Sequence, residues 1–139
     1  MLFSNLKIRE GRVVSKDQLP TNKIVYQGIL ITIENEEGSE RKWKNENGEK
    51  RKVTMFYRYG FIDGTLGIDG EEIDCFIGHD PYASTVFIIH LGKDDKEEKV
   101  MFGFNSLEAA RDAFLAHYQS QEYLGEITTM PMYLYKATL

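Results

Sequence analysis

From residue 23 to residue 104 the chain runs as short stretches of β-branched and aromatic residues, each closed by glycine, asparagine or aspartate. This strand-and-turn rhythm restricts the fold more than any other feature, because such short runs bury their apolar side chains only as members of one sheet. In KIVYQGILITIE (23–34), Ile29, Ile31 and Ile33 alternate with Leu30 and Thr32, which predicts a strand bent at Gly28. Asn47-Gly48, between charged β-compatible arms, predicts a type I′ hairpin. Three further strands are expected over 72–77, 85–91 and 99–104, separated by Gly-His-Asp-Pro (78–81) and Gly-Lys-Asp-Asp-Lys (92–96).

One segment breaks the rhythm. Asn105 precedes Glu108 at capping-box spacing, and Leu107, Ala110, Phe114 and either His117 or Tyr118 recur at helical intervals. A helix ending near 121–125 is expected, followed by a short β or irregular tail. Residues 1–22, with a turn at 19–22, read as an arm or edge segment ahead of a single domain over 23–139. The expected fold is mainly β, a small closed or partly open antiparallel barrel with one packed C-terminal helix.

Composition narrows the function. A chain of 139 residues is long enough for one proper core. Its net charge of −5 argues against a general nucleic-acid binder, which needs clustered Lys and Arg against phosphates. A single cysteine, Cys75, excludes an internal disulfide and suits a reducing cytosol. No apolar run approaches bilayer length, and the charged N-terminus lacks the apolar region of a secretory signal. A cytoplasmic protein is expected.

The chemistry concentrates in LGIDGEEIDCFIG (66–78), where Asp69, Glu71, Glu72 and Asp74 crowd before an apolar strand. Carboxylates this close repel unless one is protonated or a cation intervenes. Hard divalent cations favour such oxygen donors, and Mg2+ typically combines one or two carboxylates with substrate phosphates. A second acidic group, Asp94, Asp95, Glu97 and Glu98, follows the 85–91 strand at a spacing that fits a neighbouring strand end. The competing reading is two solvated hairpin turns.

The words around these acids resemble a known family. YGFIDGTLGIDGEEID (59–74) is similar to the signature of soluble type I inorganic pyrophosphatases, in which Tyr-Gly-aromatic-Ile leads to Asp-Gly-Asp-Pro-x-Asp. Tyr59, Gly60, Asp69, Gly70 and Asp74 align with it without a gap. The resemblance is closer to the compact pyrophosphatase-like domains of phage and prophage polyvalent proteins. IENEEGSER (33–41), KVMFGF (99–104) and FLAHY (114–118) match that group in order.

The resemblance implies a pyrophosphatase-type, OB-like barrel and Mg2+-dependent hydrolysis of pyrophosphate or a related phosphoanhydride, with Mn2+ as a substitute. It implies that Asp69, Asp74, Glu97 and Glu34 face metal, with Asp94 or Asp95 as a further ligand, and that Glu71 takes the proton of the attacking water. Arg41, Tyr59, Lys99 and Tyr118 fall at phosphate-contacting positions. A homo-oligomer is left open, and neither nucleic acid nor membrane is implied. Each role has a plainer rival: Tyr118 and Tyr59 as core aromatics, Lys99 as a loop counter-charge, Arg41 as hairpin decoration. The three histidines lack metal-ligand spacing. The chain also departs from the pattern: Glu71 stands for Asp, Glu72 for Pro, and Gln119 for a phosphate-binding Lys. A non-catalytic phosphate- or nucleotide-binding module, acting between phage and host or in a virion, is the alternative those departures raise.

Overall fold

The computed structural model describes residues 6–9, 12–15, 19–45, 47–92, 97–118 and 120–139. Two hairpins stand as separate two-stranded sheets: β1 (Leu6–Arg9) with β2 (Arg12–Ser15), and β5 (Glu40–Lys44) with β6 (Lys50–Thr54). The main sheet contains β3 (Lys23–Tyr26), β4 (Ile29–Asn35), β7 (Arg58–Ile62), β8 (Asp74–Ile77), β9 (Thr85–Leu91), β10 (Glu98–Phe102) and β11 (Leu124–Pro131). Its order is β11-β9-β10-β8-β7-β4-β3. The end strands β11 and β3 are not paired with each other, so this is the partly open form of the expected barrel. Neighbours pair antiparallel throughout, except β8 and β10, which run parallel.

Both faces of the sheet are covered, which explains the nearly continuous apolar runs of β9 and β10. Val86, Ile88, Val100 and Phe102 enter one core with Ile31, Cys75 and Ile77. Their neighbours Phe87, Ile89 and Met101 enter the other with Phe76 and Tyr59. Helix α1 (Leu107–Tyr118) closes the second core through Ala110, Ala113 and Phe114, beside Val53 of β6. Helix α2 (Met132–Ala137) closes the first through Met132 and Tyr135.

Several local expectations are corrected. Residues 23–34 form the β3–β4 hairpin instead of one bent strand. Gln27 and Gly28 take φ of 45° and 85°, the double positive φ of a type I′ turn. At 47–48 the type I′ turn is replaced by a longer loop. Among the described residues of the loop Gly48 takes a positive φ, 76°, and Gly48 N–H donates to the Asn45 carbonyl at 2.9 Å. The Asn45 Oδ1 accepts from Asn47 N–H (3.0 Å) and Glu49 N–H (2.9 Å), so this side chain sets the loop. Helix α1 is capped by Ser106, whose Oγ accepts from Ala109 N–H at 3.1 Å, not by Asn105. The tail holds β11 on β9 and the helix α2; six residues with buried Met132 and Tyr135 at i,i+3 are too few to show a period.

Candidate functional site

The parallel pairing of β8 and β10 makes the site, because it sets the starts of both strands side by side. Lys99 lies opposite Asp74 and Val100 opposite Cys75, while Phe61 of β7 flanks Asp74 on the other side. Side chains alternate across the pleat, so Lys99 shares the face of Met101, and Asp74 that of Phe76. Lys99 is only 2% exposed. Its Nζ donates to Asp74 Oδ2 at 2.7 Å, to the Tyr59 hydroxyl at 2.8 Å and to Glu97 Oε1.

The remaining acids arrive by local backbone devices. The β4–β7 register slips between Ile33 and Asn35, which places Glu34 at a bulge, a feature that commonly re-aims a side chain beside a site. Directly behind, the β4 backbone presses on β7. A Cβ on Gly60 would lie 1.8 Å from the Thr32 carbonyl oxygen, so only glycine fits this register. The loop before β8 is folded by Gly70 at φ 87°. Gly67 N–H donates to the Glu71 carbonyl at 2.6 Å, and Asp69 Oδ1 accepts from Glu71 N–H at 3.0 Å. Glu72 Oε2 accepts from Gly64 N–H at 3.2 Å and ties the loop back.

These devices put Glu34, Asp69, Glu71, Asp74 and Glu97, with Arg41 and Tyr59, in the wall of one basin of about 530 Å³. The other two expected phosphate contacts are not in the basin's wall. Lys99 lies buried beneath it, and Tyr118, hydrogen-bonded to Lys99, lines a groove beside Trp43 and stacks on Phe114 with ring centroids 4.4 Å apart. Asp94, Asp95 and Gln119 lie outside the described residues. The basin also takes in Asn35, which lies in the IENEEGSER match without an implied role, and Lys42, which no motif covers. Alternation along β5 gives no signal for Lys42, since it puts Lys42 on the face opposite Arg41. Arg41 is more than decoration: its guanidinium lies 4.4 Å from the Tyr59 ring centre and 5.2 Å from that of Trp43, a cation–π sandwich that fixes it at the rim.

Electrostatics follow from this crowding. Burial raises the Glu34 pKa, and the Asp74 and Glu72 charges add to that against the opposing pull of Arg41 and Lys99. Burial alone lowers the Lys99 pKa, but Tyr118, Tyr59, Asp74 and Glu97 outweigh it and leave the ammonium well above 10.5. Tyr59 and Tyr118 are pushed up chiefly by burial, so both are neutral hydroxyls at physiological pH. Cys75 is buried and its thiol is raised by burial and by Asp74, the opposite of an activated thiolate. His117 is buried inside α1's packing. Its Nδ1–H donates to the Ala113 carbonyl at 2.6 Å and its Nε2 accepts from Phe56 N–H at 3.0 Å, a structural role.

The donor set is carboxylate oxygen alone, which suits a hard divalent cation such as Mg2+ or Mn2+ over a thiolate- or imidazole-seeking metal. Among the described residues no three acidic, histidine or cysteine side chains already form a cage for an ion. The Lys99 ammonium stands between Asp74 and Glu97 and pairs with both.

Comparison with known proteins bears on this arrangement. The family model described as inorganic pyrophosphatase matches residues 13–139. The chain belongs to that family. No curated protein and no solved structure matches it. Membership of the inorganic pyrophosphatase family covers the basin, both acidic loops and both helices, and supports a pyrophosphatase-like function in general terms. Among the described residues no helix is long and apolar enough to cross a membrane.

Proposed function

We propose that this chain is a divalent-metal-dependent hydrolase of inorganic pyrophosphate or a related phosphoanhydride. The observation that carries the reading is the parallel β8–β10 pairing, which gathers acids from two loops far apart in the chain into one basin rimmed by Arg41 and Lys42. Asp69, Asp74, Glu97 and Glu34 would hold the metal, Mg2+ or in substitution Mn2+, with Asp94 or Asp95 as a further ligand. The bound metal supplies neutralisation of the anionic phosphates and acidity for a water.

The chain's own residues do the rest. Glu71, exposed in the turn that Gly70 fixes, accepts the proton of the attacking water. Arg41, held by Tyr59 and Trp43, receives charge on the phosphate oxygens as the bridging bond breaks. Tyr59 and Lys99 act beneath the basin: the ammonium pairs with Asp74 and Glu97 and fixes their direction. Within the family we place the chain with the compact phage-type domains, on the strength of the 33–41, 99–104 and 114–118 matches.

Phosphate release from pyrophosphate, measured with Mg2+ and with chelator, tests the reading. Asp69→Asn and Glu71→Gln are expected to lose about 100-fold or more in kcat while the far-UV spectrum is kept. Saturable pyrophosphate binding without any metal-dependent phosphate release would refute hydrolysis and establish the binding-module alternative.

A further inference from the structure

The solvent face of the β5–β6 ribbon carries a charge pattern that a solvated hairpin does not require. Its register sets Lys42 opposite Lys52 and Lys44 opposite Lys50, and all four side chains are exposed. Like charges directly opposite on one face destabilise an antiparallel pair. Glu40 stands 3.7 Å from Lys42 and 4.0 Å from Lys52, loose exposed pairs that offset little of this repulsion. The four lysines line a shallow concavity of about 610 Å³ together with Trp43 and Arg51, a register pair that alternates to the other face, where Arg51 lies 3.5 Å from Glu49. Lys42 also stands in the wall of the acidic basin, so the two depressions share a side. In a chain of net charge −5, this concentrated cationic strip is complementary to an extended anion.

We propose that the ribbon is an anion-binding extension of the basin, and that the chain acts on phosphoanhydrides longer than pyrophosphate, namely linear polyphosphate. The terminal phosphates occupy the basin, and the following ones lie along the two lysine pairs. This inference rests on the hydrolase reading of the basin. The step is hydrolysis of the terminal anhydride: the water oxygen bonds to the terminal phosphorus. The bond from that phosphorus to the bridging oxygen breaks, its electron pair leaves with the shortened chain, and the water proton passes to Glu71 and then to solvent.

A phosphate chain without bases fits better than a nucleic-acid strand. Single strands are held by successive aromatic platforms interleaved with the cations. Among the described residues the lysine face presents no such platform: Trp43, the aromatic lining the concavity, alternates to the other face, where Arg41 lies 5.2 Å from its ring centre.

Trp43 is the chain's single tryptophan, so its fluorescence reports on the ribbon directly. The test titrates linear polyphosphate into the full chain in chelator, follows Trp43 emission, and repeats this with the triple variant Lys44→Thr, Lys50→Thr, Lys52→Thr. Phosphate release from pyrophosphate and from polyphosphate is then measured for both proteins in Mg2+. The expected result is saturable polyphosphate binding that weakens about ten-fold or more in the variant and flattens in its salt dependence. The variant's pyrophosphate kcat/KM stays within about two-fold, while its polyphosphate kcat/KM falls about ten-fold. Equal polyphosphate binding by the two proteins would overturn the proposal, as would tighter binding of a single-stranded oligonucleotide than of polyphosphate. If binding behaves as expected but neither substrate releases phosphate, the hydrolase reading fails and the ribbon's role as a polyphosphate surface stands.

Discussion

Replacing Lys99 with methionine isolates the interaction on which the site's metal-free form depends. The substitution keeps most of the side-chain volume and removes the hydrogen bonds to Asp74, Glu97 and Tyr59 and the one shared with Tyr118. It leaves two carboxylates facing each other without the ammonium that separates them. Removing one partner of a fully buried ion pair costs about 3–5 kcal/mol. Here the Asp74 and Glu97 side chains are 26% and 31% exposed, so water takes up part of the stranded charge, and the expected loss is about 2 kcal/mol. Urea unfolding of Lys99→Met in chelator measures it. A divalent cation present at about 100 times its Kd then returns about 2.7 kcal/mol, so Mg2+ should raise the variant's midpoint more than the wild type's. Adding Asp74→Asn and Glu97→Gln to the variant should recover most of the loss, because the repulsion goes with the charges. An unchanged midpoint for Lys99→Met, or no recovery in the triple variant, would refute the argument that Lys99 holds these carboxylates together.

Three further outcomes are expected. Burial lowers the His117 pKa below 6.5, with Arg41 assisting and the bond to the Ala113 carbonyl opposing. The unfolded chain therefore takes up the proton first. The stability that the neutral ring contributes is complete above about pH 6.5 and is lost as pH falls from there through the folded value. Urea midpoints at about pH 7.5 and about pH 5.5 should differ in the wild type and differ less in His117→Gln. Gly60→Ala should cost about 3 kcal/mol or more by thermal unfolding, since its Cβ would meet the Thr32 carbonyl at 1.8 Å and β4 would have to move. Lys52→Glu, which turns the Lys42–Lys52 repulsion into an attraction, should stabilise the chain by about 0.5 kcal/mol, and a lower melting temperature would contradict the cross-strand reading.

The sequence by itself determined what its local chemistry specifies. The 85–91 strand matched β9 to the residue, because β-branched and aromatic side chains between two turns leave no other use for that stretch. The central helix followed from its period, and the family followed from the ordered motifs around residues 59–74, 33–41, 99–104 and 114–118. Where a local signal had two outcomes, tertiary packing chose between them. Gln27-Gly28 could bend a strand or reverse it, and pairing of β3 onto β4 reversed it. Six residues after Pro131 became a helix because Met132 and Tyr135 found a core to fill.

The site itself was decided by pairing between strands distant in the chain. Nothing near Asp74 announces that β10 will lie parallel beside β8, so nothing there says that Lys99 will be drawn under the basin. Glu34 reaches the same place through a slip in register that no residue type encodes. Residue identity set which groups can bind metal and phosphate; only the sheet order determined which of them meet, because hydrogen-bonded neighbours in a sheet are chosen by the packing of the whole chain.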